Sequence, residues 1–378
     1  MRILFICHEY PPKPFGGIGS FTKLMAEQLA EKGHAVSVIG FGDTDTKSIL
    51  FENNVEVVRL AKPKRASNKF INSFNEFKNC WKFQKTVQKH AQTFQADIIE
   101  TYEWTGPLIS KPKGVKLVVR LHGSNTANNE YMGAKRHPII AYFEKRAIQQ
   151  ADTIVSVSNH IARITQQSFG IQFPYRTIYN GIDCSVFQAP AIERDLSKII
   201  LVGRMHPYKG FDQLFACLNE LFALNEQVHF EIICSIIESY QTRLLSMVEE
   251  QFHHRIRFIG RIPNQELNNY YAAANVSILP SVSEAFPLIP LESMACGTPV
   301  ILSNRFSSNE IITDGENGFL VNVMNPSELA QQIAFILSDQ NRIEAMRSIA
   351  KTRIEQHFEI EKIIEENCQF YQSILPHV

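Results

Sequence analysis

Short apolar runs alternate with amphipathic helical stretches along nearly the whole chain, and the alternation runs through twice. Residues 2–7 read as a buried strand, 20–32 as a helix closed by Gly33, and 36–39 as the next strand. Further strands are expected at 97–101, 116–121, 153–157 and 177–179, with helices at 139–149 and 158–167, the second capped by Ser158. A polar stretch without periodicity follows. A second alternation opens at 198, with strands at 198–202, 228–234, 256–259, 276–279 and 300–302 and a last one after Gly318. Its helices are expected at 211–224, 238–252, 264–273, 326–338, 340–356 and 360–375. A parallel neighbour is reached only through a long crossover, usually a helix, so this pattern predicts parallel α/β sheets. A chain of 378 residues exceeds what one core ordinarily holds. Two α/β domains are therefore expected, at 1–185 and 198–356, joined by a linker at 186–197. The last segment, 357–378, is expected as a helix that packs back on the N-terminal domain.

The chain carries 38 Lys+Arg and 38 Asp+Glu, so no global field points to nucleic acid and any polyanion site must be local. No apolar run approaches the length of a membrane span. The start reads as a strand and not as a signal peptide, because His8-Glu9 interrupts a short apolar run. Seven scattered cysteines without Cys-x-x-Cys spacing suit reduced thiols in a cytoplasm and argue against a zinc cluster.

Several stretches carry candidate chemistry. Gly16, Gly17 and Gly19 abut a helix start, where free N–H groups and the helix dipole suit an anion. Three readings stay open there: a dinucleotide fingerprint helped by Asp43, a phosphate or sugar loop, and a plain connection. The first is disfavoured, because the glycines do not follow G-x-G-x-x-G and residues 8–15 separate them from the strand. Asp43-Thr44-Asp45 has the form of a metal-binding D-x-D, but with no other ligand cluster in view it reads as a solvated loop. Residues 62–90 are basic, with Lys62, Lys64, Arg65, Lys69, Lys78, Lys82, Lys85 and Lys89 against Glu76 alone. Phe70, Phe74, Phe77 and Trp81 form a helical stripe. A core-facing stripe with a solvated basic back is favoured over a helix lying on an anionic membrane.

His122-Gly123 follows a strand directly, either contacting a ligand at the sheet's C-terminal edge or bonding to its own loop. Arg204 ends one strand and Lys209 precedes the next helix. They are a plausible diphosphate clamp, or else two unrelated surface cations. Glu284 sits where a strand ends, and Glu292 lies in a short apolar helix, where a charge costs free energy unless it is paired. Two such acceptors suit a hydroxyl-rich ligand such as a sugar; the alternative is a strand-end cap and an ordinary helix glutamate.

Taken in order, these segments resemble the retaining, nucleotide-sugar-dependent glycosyltransferases of family four, the glycosyl transferases group 1. The resemblance rests on the first-loop Gly-Gly, His122-Gly123, Asn180-Gly181-Ile182-Asp183 and Gly203-Arg204…Lys209-Gly210. It continues in Glu284…Glu292 ending Met-Ala-Cys-Gly-Thr-Pro-Val, and in Asp314-Gly315…Asn317-Gly318, so that it covers most of the length. It implies the GT-B fold, two Rossmann-like domains facing each other across a cleft, with a nucleotide sugar bound mainly to the second and the acceptor to the first. By position, Arg204 and Lys209 would hold the donor diphosphate and stabilise charge on the leaving group. Glu292 would hold ribose hydroxyls and Glu284 sugar hydroxyls. Gly16 and Gly17 would let the first loop approach the phosphates, and His122 would sit near the transferred sugar's C6 side. Phe286, Leu288 and Ile289 belong to the same donor stretch, the last two as backbone donors.

The resemblance further implies no metal and no cofactor. The acceptor would be a glycan or a lipid-linked sugar, in surface polysaccharide or glycolipid synthesis. The place would be the cytoplasm or the inner membrane face, reached through residues 62–90. Front-face displacement is favoured over a covalent intermediate. A sugar-nucleotide epimerase and a non-catalytic nucleotide-sugar-binding partner are the alternatives on the same fold. The chain reads Glu284-Ala285-Phe286-Pro287 where the family usually has Glu-Gly-Phe-Gly. Proline has no N–H, which puts the donor-sugar preference in question at Pro287.

Overall fold

The structure, a computed structural model, describes residues 1–12, 17–62, 69–103 and 113–376; the side chains at 69–78, 80 and 264 lie outside that description. It forms two compact units, Met1–Tyr179 with Ile363–Val378, and Asn180–Lys362.

The first unit holds β1 (Arg2–Ile6), β2 (Ala35–Phe41), β3 (Ser48–Glu52), β4 (Val55–Leu60), β5 (Ile98–Tyr102), β6 (Lys116–Leu121), β7 (Thr153–Ser156) and β8 (Arg176–Thr177). Their order in the sheet is β3-β4-β2-β1-β5-β6-β7-β8. Every pairing is parallel except β3 on β4. The β3–β4 hairpin is absent from the expectation above. It turns at Asn53-Asn54, both at positive φ (47° and 63°), the conformation a two-residue hairpin needs and asparagine tolerates.

The second unit holds β9 (Asp195–Val202), β10 (His229–Ile233), β11 (Ile256–Phe258), β12 (Ala274–Leu279), β13 (Val300–Ser303) and β14 (Gly318–Val321), all parallel, in the order β11-β10-β9-β12-β13-β14. The strand order reverses between β9 and β12. A reversal of this kind is where open α/β sheets place their ligand sites, at the carboxyl ends of the strands. In the first unit the same reversal falls between β1 and β5.

The division falls earlier than the linker expected at 186–197. Ile182 N–H donates to the Phe358 carbonyl and Ile360 N–H to the Ile182 carbonyl, both at 2.9 Å. Asn180 Nδ2 donates to the Phe286 carbonyl at 3.0 Å. Residues 180–185 thus belong to the second unit, and Asp195 already opens β9. The helix Ile360–Ile374 joins the first unit from Ile363 on and not from 357. There Asn367 and Tyr371 meet a buried ion pair: Arg120 Nε donates to Glu100 Oε1 at 2.6 Å, Arg120 Nη2 to Asn367 Oδ1 at 2.6 Å, and Tyr371 Oη to Glu100 Oε2 at 2.6 Å.

In the helix Lys69–Phe94, Phe83, Val87 and Ala91 pack with Leu4, Ile6, Ile39, Val58 and Ile99. Trp81 instead is 48% exposed, with the Lys85 ammonium 3.7 Å from its ring centre. The core stripe is therefore 83/87/91. Of the expected stripe, Trp81 faces out, and the side chains of Phe70, Phe74 and Phe77 lie outside the described residues.

Candidate active site

The loops leaving β9 and β12 are joined backbone to backbone. Val282 N–H donates to the Tyr208 carbonyl at 2.9 Å. Gly210, at φ +74°, lies so close to Pro280 that a Cβ there would stand 1.8 Å from the Pro280 carbonyl oxygen. Only glycine satisfies both the left-handed backbone and this approach.

The result brings Lys209 to Glu284, with Nζ 2.5 Å from Oε1, both half-buried. Ser281 Oγ supports the same carboxylate oxygen at 2.8 Å. Arg204, one residue past Gly203, is exposed and has no hydrogen-bond partner among the described residues. His206, between the two cations, has its pKa lowered by partial burial and then by the charges of Arg204 and Lys209. Arg204 and Lys209 make this mouth locally positive, which an anion would relieve.

The helix Leu288–Ala295 starts at this mouth. Its Ile289 side chain lies 3.8 Å from where a Cβ on Gly203 would stand. Leu288 and Ile289 lie in its first turn, where helix N–H groups lack an intrahelical acceptor and the dipole is positive. Pro287 is the residue before the helix, where its missing N–H removes one donor. Phe286 sits differently from the expectation: its ring is buried against Phe358, 5.6 Å between centroids, and its carbonyl accepts from Asn180. Its side chain is a core group.

Glu292 lies one turn further along and is half-buried. Tyr271 Oη donates to its Oε2 at 3.0 Å. Burial pushes its pKa up to about 7, and the Tyr271 hydrogen bond opposes the rise. Arg204, Lys209, Glu284, Leu288, Ile289 and Glu292 are thus gathered on one unit at its switch point.

Gly17 and His122 belong to the first unit. Gly17 opens the helix Gly17–Glu31 and is exposed, and Gly16 lies outside the described residues. The glycine that is sterically required is Gly19, where a Cβ would stand 2.0 Å from the Glu9 carbonyl oxygen. His122 is buried between Phe21 and Tyr102, with ring centroids at 6.1 and 5.4 Å. Burial, then the charge of Arg120, lowers its pKa to about 3. Its imidazole is therefore neutral near pH 7.

Sequence reasoning missed two groups. Glu103, just past β5, is buried and accepts the His122 N–H at 3.1 Å, and burial raises its pKa to about 8. A carboxylate closing a buried strand was its only signal. Tyr271 carried none, since an aromatic on a helix reads as core. Asp43 and Asp45 are exposed, and no group of three side chains placed to hold a metal ion occurs among the described residues. No helix among those residues is long and apolar enough to cross a membrane.

Two family models account for nearly the whole chain: Glycosyltransferase Family 4 over residues 15–186 and Glycosyl transferases group 1 over residues 185–353. The chain belongs to the family-four type of glycosyltransferase. It is 23% identical to an uncharacterized glycosyltransferase of Methanocaldococcus jannaschii, over 98% of each chain. It is also 23% identical to a glycogen synthase of Mycobacterium tuberculosis, over 98% of this chain and 94% of that protein. Among solved structures it is similar to sucrose-phosphate synthase of Thermosynechococcus elongatus, with a TM-score of 0.85, 22% identity, and 99% and 98% of the two chains covered. It is likewise similar to Anabaena HepE in complex with UDP and glucose, with a TM-score of 0.75, 18% identity, and 99% and 100% covered. The fold is that of GT-B glycosyltransferases.

Proposed function

We propose that the protein transfers a sugar, with retention of anomeric configuration and without a metal, from a nucleoside-diphosphate sugar to a hydroxyl of a glycan or lipid-linked acceptor. Surface polysaccharide or glycolipid synthesis at the cytoplasmic side is the setting this suits. The observation that carries the reading is the Lys209–Glu284 contact beside Arg204 at the β9/β12 switch point. With a donor present, the pair exchanges partners: Lys209 and Arg204 turn to the diphosphate, and Glu284 accepts from sugar hydroxyls. The C1–O bond to phosphate breaks with its electrons on the phosphate oxygen, where the two cations and the helix start stabilise them. The acceptor oxygen bonds C1 on the same face, and its proton passes to the departing phosphate. With the donor bound, Glu284 and Glu292 are both given to donor hydroxyls, which favours the front-face route over a covalent carboxylate intermediate. The resemblance assigns Gly17 to the donor phosphates and His122, as a neutral group, to the transferred sugar. A UDP-glucose complex of Anabaena HepE supports a nucleotide-sugar donor.

The test is a thermal-shift and hydrolysis screen against UDP-, GDP-, ADP- and TDP-sugars in EDTA. One base class is expected to raise the melting temperature and be slowly hydrolysed at a rate EDTA leaves unchanged. No response to any of the four, or activity that EDTA abolishes, would contradict the reading.

We also propose peripheral membrane contact through residues 62–90. Trp81, Lys82, Lys85 and Lys89 are exposed on the side of the helix away from Phe83 and Val87. Flotation with anionic vesicles is expected to carry the protein at low salt and release it at high salt. Equal recovery with neutral vesicles would contradict the contact.

A further inference from the structure

Tyr271 is fully buried on the helix Asn264–Ala273, and its hydroxyl donates to Glu292 Oε2. Two further bonds fix this helix against the segment that carries Glu292. Thr298 Oγ1 donates to the Tyr271 carbonyl at 2.6 Å, and Cys296 Sγ to Asn268 Oδ1 at 3.5 Å. The other carboxylate oxygen of Glu292, Oε1, has no hydrogen-bond partner among the described residues, and the half-buried side chain remains reachable.

We propose that Tyr271 is a positioning residue: its hydroxyl fixes one oxygen of Glu292 so that the other is presented to the vicinal ribose hydroxyls of a nucleoside diphosphate. This rests on the reading that Glu292 binds ribose. A glutamate side chain has several rotamers, and a bond from a rigid buried phenol removes that freedom before the ligand arrives.

The arrangement has a pH signature. The groups around Glu292 are Tyr271, Cys296 at the end of its own helix and, beyond Cys296, Lys351 of the helix Gln340–His357. Burial raises the Tyr271 phenol well above its usual value and the Cys296 thiol to about 12, so both stay neutral. Glu292 is then the group that titrates near pH 7, and its ionised form is the one that accepts from two hydroxyls. Losing the Tyr271 hydroxyl removes a bond that favours the ionised form, which moves the titration upward.

The experiment is calorimetric titration of wild type, Tyr271→Phe and Glu292→Gln with UDP, GDP and ADP and their 2′-deoxy forms, at pH 7 and pH 9. Ribose is common to all three, so whichever binds reads the contact. Wild type is expected to prefer the ribo form about tenfold, the worth of a hydrogen bond to a charged group. Tyr271→Phe should lower that ratio below about threefold at pH 7, with partial recovery at pH 9, a recovery that a merely structural defect would not give. Glu292→Gln should lower it at both pH values. A wild-type ratio in Tyr271→Phe at both pH values, with the ratio lost in Glu292→Gln, would overturn the positioning role and leave the ribose reading standing. A wild-type ratio in Glu292→Gln, or no binding of any of the three, would overturn both. Should Tyr271→Phe not fold, Thr298→Ala decides: it removes the bond that holds the Tyr271 backbone to the segment following Glu292 and should lower the ratio at pH 7, and an unchanged ratio contradicts the proposal.

Discussion

Lys209→Ala is expected to lower kcat/KM at least about a hundredfold, because one preorganised cation aimed at developing oxyanion charge supplies roughly that factor or more. The loss should fall mainly on kcat, since the charge to be stabilised is greatest as the C1–O bond breaks. Stability should barely change. Lys209 and Glu284 are both partly exposed, a setting in which ion pairs contribute about 0–1 kcal/mol, and Ser281 still supports the carboxylate. Lys209→Arg should recover only part of the rate, because a planar fork does not reproduce a compact ammonium at 2.5 Å from Glu284. Steady-state kinetics with melting curves checks this. An alanine variant within about threefold of wild type would show that the pair is an ordinary surface bridge.

The second large effect is on stability and lies away from the site. Arg120→Met is expected to destabilise the first unit by about 3–5 kcal/mol. Arg120 is 1% exposed, and its removal leaves the buried Glu100 carboxylate with Tyr371 as its one hydrogen-bond donor among the described residues, and Asn367 Oδ1 without the Arg120 donor. For a unit of this size the melting transition should fall by roughly 6–20 °C. Adding Glu100→Leu should restore part of the loss, because a missing ion pair costs less than half of one. Thermal melts of the two variants test this, and a shift under about 2 °C for the single substitution would show that water has replaced the network.

The alternation of strands and helices was readable because each element's apolar period is local. The β3–β4 hairpin was not, since the short edge strand Ser48–Glu52 runs Ile49-Leu50-Phe51 without alternation and is exposed on both faces, which leaves Asn53-Asn54 as the local sign of a turn. The unit boundary was placed late because residues 180–185 show no periodicity. Their partners Phe286, Phe358 and Ile360 are far along the chain, and nothing local announces them. Arg204, Lys209 and Glu284 could be found because charged residues at strand ends are conspicuous, and the structure adds the Gly210–Pro280 approach that joins the two loops. That the Phe286 ring packs into the core was not legible, because a sequence does not say which way a ring turns. Glu103 and Tyr271 stayed hidden because their meaning depends on Glu292 and His122, which only the fold brings to them.

The most direct test of the central claim follows the anomeric carbon. The nucleotide sugar selected by the screen is incubated with the protein and an oligosaccharide or lipid-linked acceptor, and the anomeric proton of the transferred sugar in the product is read by NMR. An α-linked donor should give an α-linked product, with turnover abolished in Lys209→Ala. A β-linked product, or equal turnover in the variant, would contradict the account.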